Sequence, residues 1–227
     1  FYLFPVYFAF LPVVNTKMAM AAAGLCVLGY KLLQKDTRNV DGSFLTLTLW
    51  AFAISLASLV AMAVNGTHDG SFLTYFISMW VWLGGAYMLI AIIRWTHNYV
   101  SVPLVCNYCV AICACQCILA WIFKIHPEFD EYVMSHFIGE SYMGIGVREE
   151  RMHGIGCALD VAGLKFATVL IFISIMVSRI KNGNYLLFGF YIASFFIITV
   201  IGNMISRTTI VGVGLALLYW GGVSFYN

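Results

Sequence analysis

Two arginines, Arg148 and Arg151, stand three residues apart just before an apolar run. If a helix begins early enough to include both, this spacing turns them to the same side. Paired guanidinium groups can bind phosphate or carboxylate with two hydrogen bonds each. Gly154 and Gly156 follow Arg151, and glycines let backbone N–H groups and a helix N-terminus come close to an anion. The pattern favours an anion site at Arg151, whereas a solvated charged segment is the better interpretation of Arg148.

Arg207 lies between two apolar runs that have almost no loop between them. Hydroxyl residues flank it, and Ser206, Thr208 and Thr209 can cap the helix that follows. The N-terminal dipole of that helix would add to the positive potential. The alternative is that Arg207 reaches lipid phosphate at the membrane interface. We expect Arg207 on the same face as Arg151, and this expectation favours a role in substrate binding.

Asp160 and Lys165 lie inside the apolar run that follows. Ionisable groups inside a membrane are costly, so each needs a partner or a polar cavity. Five residues turn a helix by about 500°, so the two diverge by about 140° and are poor partners for each other. The alternatives are a buried ion pair with another helix and, for Lys165, a long stem that reaches the interface.

Other chemistry has little support. Four cysteines recur at three- and four-residue steps on one helical face, where packing is a better interpretation than a thiolate metal site: Cys106, Cys109, Cys113 and Cys117. Three histidines of the long connection lack the spacings of zinc proteases: His126, His136 and His153. We predict no metal and no cofactor.

The composition identifies the class of protein that must position these residues. Of 227 residues, 62% are hydrophobic and only 10% are charged, whereas a soluble chain has about 45–50% apolar and about 25% charged residues. The net charge of +2 is too small to indicate a nucleic-acid partner. We therefore predict an integral membrane protein. The chain begins without methionine and ends just after an apolar run, so we expect it to be a fragment of a longer chain.

The apolar runs predict an all-α, polytopic fold in one membrane domain, residues 1–227. A spanning helix needs about 20 mainly apolar residues, and no strand pattern persists through these runs. Residues 15–17 are predicted to form a tight turn between the first two helices. We predict eight spans, near residues 1–14, 18–33, 44–64, 72–93, 103–123, 156–178, 185–205 and 208–225.

Lysine and arginine set the predicted orientation, because short cytoplasmic loops carry most of them. If all eight spans are present, six of these residues share one side: Lys31, Lys35, Arg38, Arg94, Arg179 and Lys181. The short connections of the opposite side hold only Lys17 and Arg207. This places the amino terminus in the cytoplasm and the long connection 124–155 outside it. A loop of that length is more often functional than a mere connector.

Two segments resemble motifs of the O-antigen polymerase and ligase superfamily. One is Arg-Met-His-Gly-Ile-Gly-Cys-Ala-Leu-Asp-Val-Ala-Gly (151–163), and the other is Ser-Arg-Thr-Thr (206–209). Members often show an arginine–glycine segment that leads into a helix, and a Ser-Arg motif that opens the next helix but one. The resemblance is to polymerases of the Bacteroides type and covers residues 148–218. Residues 157–160 differ from the Asn-Pro-Asn of many members, and the family's larger loop and further spans would lie beyond Asn227.

The resemblance implies a glycosyltransferase of the bacterial cytoplasmic membrane, with its active face outside the cytoplasm. Its substrates would be undecaprenyl-pyrophosphate-linked oligosaccharides, which it would polymerise into O-antigen or capsular polysaccharide. Because the leaving group is a pyrophosphate, cations must stabilise its charge. We assign that role to Arg151 and Arg207, with Ser206 and Arg148 as further contacts. Asp160 is the first choice for the general base, with Glu150 second.

The resemblance also suggests a flippase and a chain-length regulator of the same pathway as partners, besides membrane lipid. Two other functions stay open, besides a scaffold role in a membrane assembly, which would leave Arg207 unexplained. A ligase of the same superfamily would transfer finished polymer to a lipid A core. A small-molecule transporter would use Asp160 and Lys165 to line a path, although the sequence has no repeated half with broken helices.

Overall fold

A computed structural model describes residues 1–34, 42–67, 70, 72–139, 152–157, 159–180 and 184–226, and about 80% of what it describes is helical. Eight helices are present in this part of the chain: α1 (Thr16–Leu33), α2 (Gly42–Asn65), α3 (Tyr75–His97), α4 (Val102–Ile125), α5 (Pro127–His136), α6 (Leu159–Ser178), α7 (Tyr185–Ile205) and α8 (Thr209–Tyr226). Three short strands accompany them: β1 (Val6–Phe8), β2 (Leu11–Asn15) and β3 (Phe137–Gly139).

Six of the helices are long and apolar enough to cross a membrane: Thr16–Leu33, Ser43–Asn65, Tyr75–His97, Val102–Ile125, Val161–Ser178 and Tyr185–Ile205. A shorter apolar helix follows at Thr209–Val223. These helices are consistent with the predicted all-α, multi-pass membrane protein. Local sequence explains where two of them begin. The Ser101 hydroxyl accepts a hydrogen bond from the Leu104 N–H at the start of α4, and the Asn184 side chain does the same for Leu187 in α7.

The first predicted span, residues 1–14, is wrong. This segment contains β1 and β2, which pair antiparallel, and β1 also pairs antiparallel with β3. Fourteen helical residues would extend only about 21 Å, which is short of the roughly 30 Å hydrocarbon core. Pairing with β3 gives the backbone of β1 its partners instead. The predicted tight turn at residues 15–17 is also wrong, because β2 ends at Asn15 and α1 begins at Thr16.

The prediction of a cytoplasmic amino terminus relied on that first span, so it loses its support. The connection 124–155 also has structure of its own, because it contains α5 and β3. The helix expected from residue 156 begins at Leu159, since Gly154 and Cys157 form an isolated antiparallel bridge just before it. The element order of the remaining predicted spans agrees with the helices observed.

Contacts divide the chain, predicted as one membrane domain, into two compact units. The three-helix unit comprises Tyr2 and Thr16–Tyr99. In it α1 and α3 cross closely, because a Cβ on Gly24 would lie 2.0 Å from the Gly84 carbonyl oxygen. Small residues permit such approaches between membrane helices. Helix α2 packs on α3, where the Ser55 hydroxyl accepts a hydrogen bond from the Phe76 N–H.

The main unit comprises Phe1, Leu3–Asn15 and Val100–Asn227. Helix α6 contacts α4, α7 and α8, and it is the most buried of the six candidate spans. Its buried face carries large side chains, including Phe166, Leu170 and Ile173. The three-stranded sheet, in the order β2-β1-β3, also belongs to this unit.

Candidate active site

Arg207 projects from a short turn that joins α7 to α8. The Ser206 N–H donates to the Gly202 carbonyl at 2.8 Å, and the Thr209 hydroxyl donates to the same carbonyl at 3.0 Å. The Ser206 hydroxyl accepts a hydrogen bond from the Thr208 N–H. Ser206 and Thr209 are 1% and 0% exposed, whereas Arg207 is exposed. The hydroxyl residues therefore hold the turn in place, and the guanidinium group extends from a fixed base.

This turn packs directly against the first part of α6. A Cβ on Gly163 would lie 2.3 Å from the Ser206 hydroxyl oxygen and 2.9 Å from the Thr208 Cβ. Real side chains never approach that closely, so only glycine fits at this position without a shift of the turn. Gly163 and Ser206 belong to the two segments whose sequences resemble the superfamily motifs. The fold therefore brings these two segments into contact.

Asp160 lies on α6 three residues before Gly163. Three residues correspond to about 300° of rotation and about 4.5 Å of rise, so the two positions share a helix face within about 60°. The predicted base is thus about one turn from the contact with the Ser206–Thr208 turn. The side chain of Asp160 lies outside the described part of the structure. The predictions for Arg148, Glu150 and Arg151 concern residues that lie entirely outside it.

The described chain resumes at Met152 and enters α6 through a tightly fixed segment. Gly154 and Cys157 exchange two backbone hydrogen bonds, of 2.8 and 3.2 Å. The Gln116 amide of α4 donates to the Ile155 carbonyl at 3.0 Å. Gly156 has a φ of +64°, and a Cβ there would lie 2.7 Å from the Pro5 carbonyl oxygen. The glycines after Arg151 therefore permit a positive φ and close backbone packing.

His153 and Asp130 form a pair that was not predicted from the sequence. The His153 Nε2 lies 3.0 Å from the Asp130 Oδ1, and the His153 ring is tilted against Phe123 at 6.0 Å between centroids. His153 is only 8% exposed. The contact joins α5 to the segment that leads into α6, across 23 residues of chain. No local spacing could have predicted this pair, because its two members are 23 residues apart.

The cysteines of α4 pack as predicted. Cys106, Cys113 and Cys117 are buried in the core of the main unit and Cys109 is partly buried against it. Cys157 joins the same core from outside the helix. Burial raises the pKa of the Cys157 thiol well above its usual range, with a further contribution from the neighbouring Cys117 and Cys113. Within the described residues, no cluster of three or more His, Cys, Asp or Glu side chains is arranged to hold a metal ion.

Lys165 is half-buried on α6, and its ammonium nitrogen lies 4.7 Å from the centre of the Phe4 ring. A cation over an aromatic face is favourable, by about 0.5–2 kcal/mol depending on exposure. One contact of Lys165 is thus with an aromatic ring of the N-terminal segment.

Comparison of the chain with protein-family models, with curated proteins and with solved structures finds no match in any of the three.

Proposed function

We propose that this chain is a membrane glycosyltransferase that polymerises undecaprenyl-pyrophosphate-linked oligosaccharide repeat units into O-antigen or capsular polysaccharide. One observation carries the proposal: the Ser206–Thr208 turn packs on Gly163, about one helical turn from Asp160. The two segments that resemble the superfamily are far apart in sequence, and an active site built from both requires that they meet. An exposed arginine at their junction is the group that a pyrophosphate needs.

The reaction forms a glycosidic bond and breaks the bond between the anomeric carbon and the pyrophosphate oxygen. An acceptor hydroxyl of another lipid-linked repeat unit attacks the anomeric carbon, and its proton passes to a base, which we assign to Asp160. Negative charge develops on the departing pyrophosphate. Arg207 stabilises this charge, together with Arg151 and with Arg148 as a further contact. Ser206 is buried and bonded within its turn, so we assign it to positioning Arg207 rather than to direct contact with the pyrophosphate.

The topology supports placing this site outside the cytoplasm. Strands β1 and β3 pair, so both must lie on one side of the membrane, and the four helices α1 to α4 separate them in sequence. Four crossings return the chain to its starting side, whereas three would not. The connections after α1, α3 and α6 lie on the opposite side from β1 and β3, and they carry most of the lysine and arginine residues. Because short cytoplasmic loops carry most of these residues, that opposite side is the cytoplasm. We therefore propose that β1 and β3 lie outside the cytoplasm, on the same side of the bacterial cytoplasmic membrane as Arg207.

The direct test is a surface-glycan gel of a strain that lacks the gene and is complemented with wild-type or variant full-length protein. We expect wild type to restore a ladder of polymer lengths. Arg207→Ala should reduce polymer by about 100-fold, the effect of removing one group that stabilises transition-state charge. Arg207→Lys should retain part of the activity, because the charge remains while the paired hydrogen bonds are lost.

Arg94→Ala is the matched control, because Arg94 is also an exposed arginine, in the last turn of α3. It should leave the ladder unchanged. Failure of wild type to restore any ladder would contradict the polymerase proposal. Unattached polymer that accumulates on its lipid carrier without wild-type protein would indicate the ligase, which uses the same donor.

A second pair of variants tests the contact between the two segments. Gly163→Ala forces the turn that carries Arg207 to move, so polymer length should fall while the protein level in the membrane stays the same. Gly189→Ala is the control, because a Cβ on Gly189 of α7 would meet nothing within 4 Å. Equal ladders from both variants would show that the position of the turn does not matter for the reaction.

A further inference from the structure

A cavity of about 410 Å³ lies between α4, α6 and α7 in the main unit. Three groups of residues line it: Val102, Pro103 and Asn107 from α4, Met176, Arg179 and Ile180 from the end of α6, and Asn184, Leu187 and Tyr191 from the start of α7. Its volume falls within the range of about 300–1,000 Å³ that is typical of small-molecule sites. The cavity lies where α4 and α7 begin and α6 ends, whereas Arg207 lies where α7 ends and α8 begins. It is therefore at the opposite end of these helices from the proposed active site.

The cavity has charged and polar side chains at its exposed rim and buried side chains at its floor. Arg179 and Asn184 are exposed at the helix ends, whereas Met176 and Tyr191 are buried. Among the ion pairs of the described residues, none involves Arg179. The Tyr191 hydroxyl donates a hydrogen bond to the Asn107 Oδ1, so these two groups pair deeper in the cavity. A ligand that fits this gradient has an anionic head and an apolar tail.

We propose that the cavity binds an anionic phospholipid of the surrounding leaflet. The guanidinium group of Arg179 would hold the headgroup phosphate, which arginine binds with paired hydrogen bonds. The first part of an acyl chain would lie along Val102, Pro103 and Leu187. Basic pockets between membrane helices on the cytoplasmic side are suited to acidic headgroups. This proposal depends on the membrane-spanning fold and not on the glycosyltransferase reaction.

Native mass spectrometry of the full-length, delipidated protein in detergent tests it. Phosphatidylglycerol and phosphatidylcholine with identical acyl chains serve as probes. We expect one phosphatidylglycerol to bind about tenfold more tightly than phosphatidylcholine, because both carry the phosphate but the choline cation of phosphatidylcholine is repelled by Arg179. Arg179→Ala should remove that difference. Arg94→Ala, an exposed arginine of the other unit, should leave it unchanged.

A second variant tests the apolar part of the site with Arg179 intact. Val102 is 72% exposed at the mouth of the cavity, so Val102→Trp is compatible with the fold and blocks entry. It should weaken binding of phosphatidylglycerol by about tenfold or more. Three results would overturn the proposal: equal affinity for both lipids in wild type, the same loss in Arg94→Ala as in Arg179→Ala, or complete displacement of the lipid by millimolar inorganic phosphate. The last would indicate a site for the free anion.

Discussion

Helices α2 and α6 have the same mean hydropathy but different surroundings. In the main unit, 44% of the α6 span is buried, whereas the figure is 11% for α2 in the three-helix unit. Alanine and other small residues occur in both, so composition does not explain the difference. The packing partners explain the difference in burial, because α6 has packed helices on several sides, while α2 packs mainly on α3. Hydropathy therefore indicates that a helix can cross a membrane, and contacts alone determine how much of it is buried.

The largest expected contrast is between two phenylalanines. Phe166 of α6 is fully buried, whereas Phe52 of α2 is 55% exposed and contacts only the edge of Phe76 among the aromatic rings described. Phe166→Ala should lower the free energy of unfolding by about 3 kcal/mol, the low end for buried phenylalanine because lipid offers no hydrophobic transfer term. Phe52→Ala should cost less than about 1 kcal/mol. Unfolding by titration with SDS from mild detergent measures both, and equal losses would show that α2 is as well packed as α6.

The second contrast is between two glycines of α8, two residues apart. A Cβ on Gly212 would lie 2.3 Å from the Ala167 Cα of α6, whereas one on Gly214 would meet nothing within 4 Å. Gly212→Ala should destabilise the protein by about 1–3 kcal/mol, since backbone must move to accept the methyl group. Gly214→Ala should be neutral or stabilising by up to about 1 kcal/mol, because alanine favours the helix. The same unfolding titration distinguishes them. A neutral Gly212→Ala would mean that α8 is not fixed against α6.

The smallest contrast concerns two hydroxyls that donate to the carbonyl four residues earlier. Ser174 of α6 is buried and donates to Leu170, and Thr48 of α2 donates to Phe44. Ser174→Ala should cost about 0.5–1 kcal/mol, whereas Thr48→Ala should cost less, because the bond in α2 is only partly buried. The Trp220 indole bonds to the Ser174 backbone carbonyl and stays paired in the variant. A larger loss of unfolding free energy in Thr48→Ala than in Ser174→Ala would show that the hydroxyl of α2 contributes more to stability than that of α6.

The candidate site was partly predictable. Arg207 stood out because a connection that only has to turn rarely uses an arginine flanked by hydroxyl residues, and the structure places it exposed on a fixed turn. The role of Gly163 could not be predicted, because it depends on a contact between α6 and a turn more than 40 residues away. The pair of His153 and Asp130 joins two parts of a loop in the same way. Local spacing contains no information about either contact.

Apolar length alone determined the membrane class and most of the helices, because the hydrocarbon core requires about 20 apolar residues per crossing and leaves few alternatives. It failed at residues 1–14, where an apolar run too short to cross formed strands with a partner, β3, more than 120 residues away. Tertiary structure alone decided that pairing and the greater burial of α6 than of α2. It also decided the contact of Gly163 with the turn that carries Arg207. Each of these depends on shape and hydrogen-bond partners brought together by folding, which hydropathy along the chain does not describe.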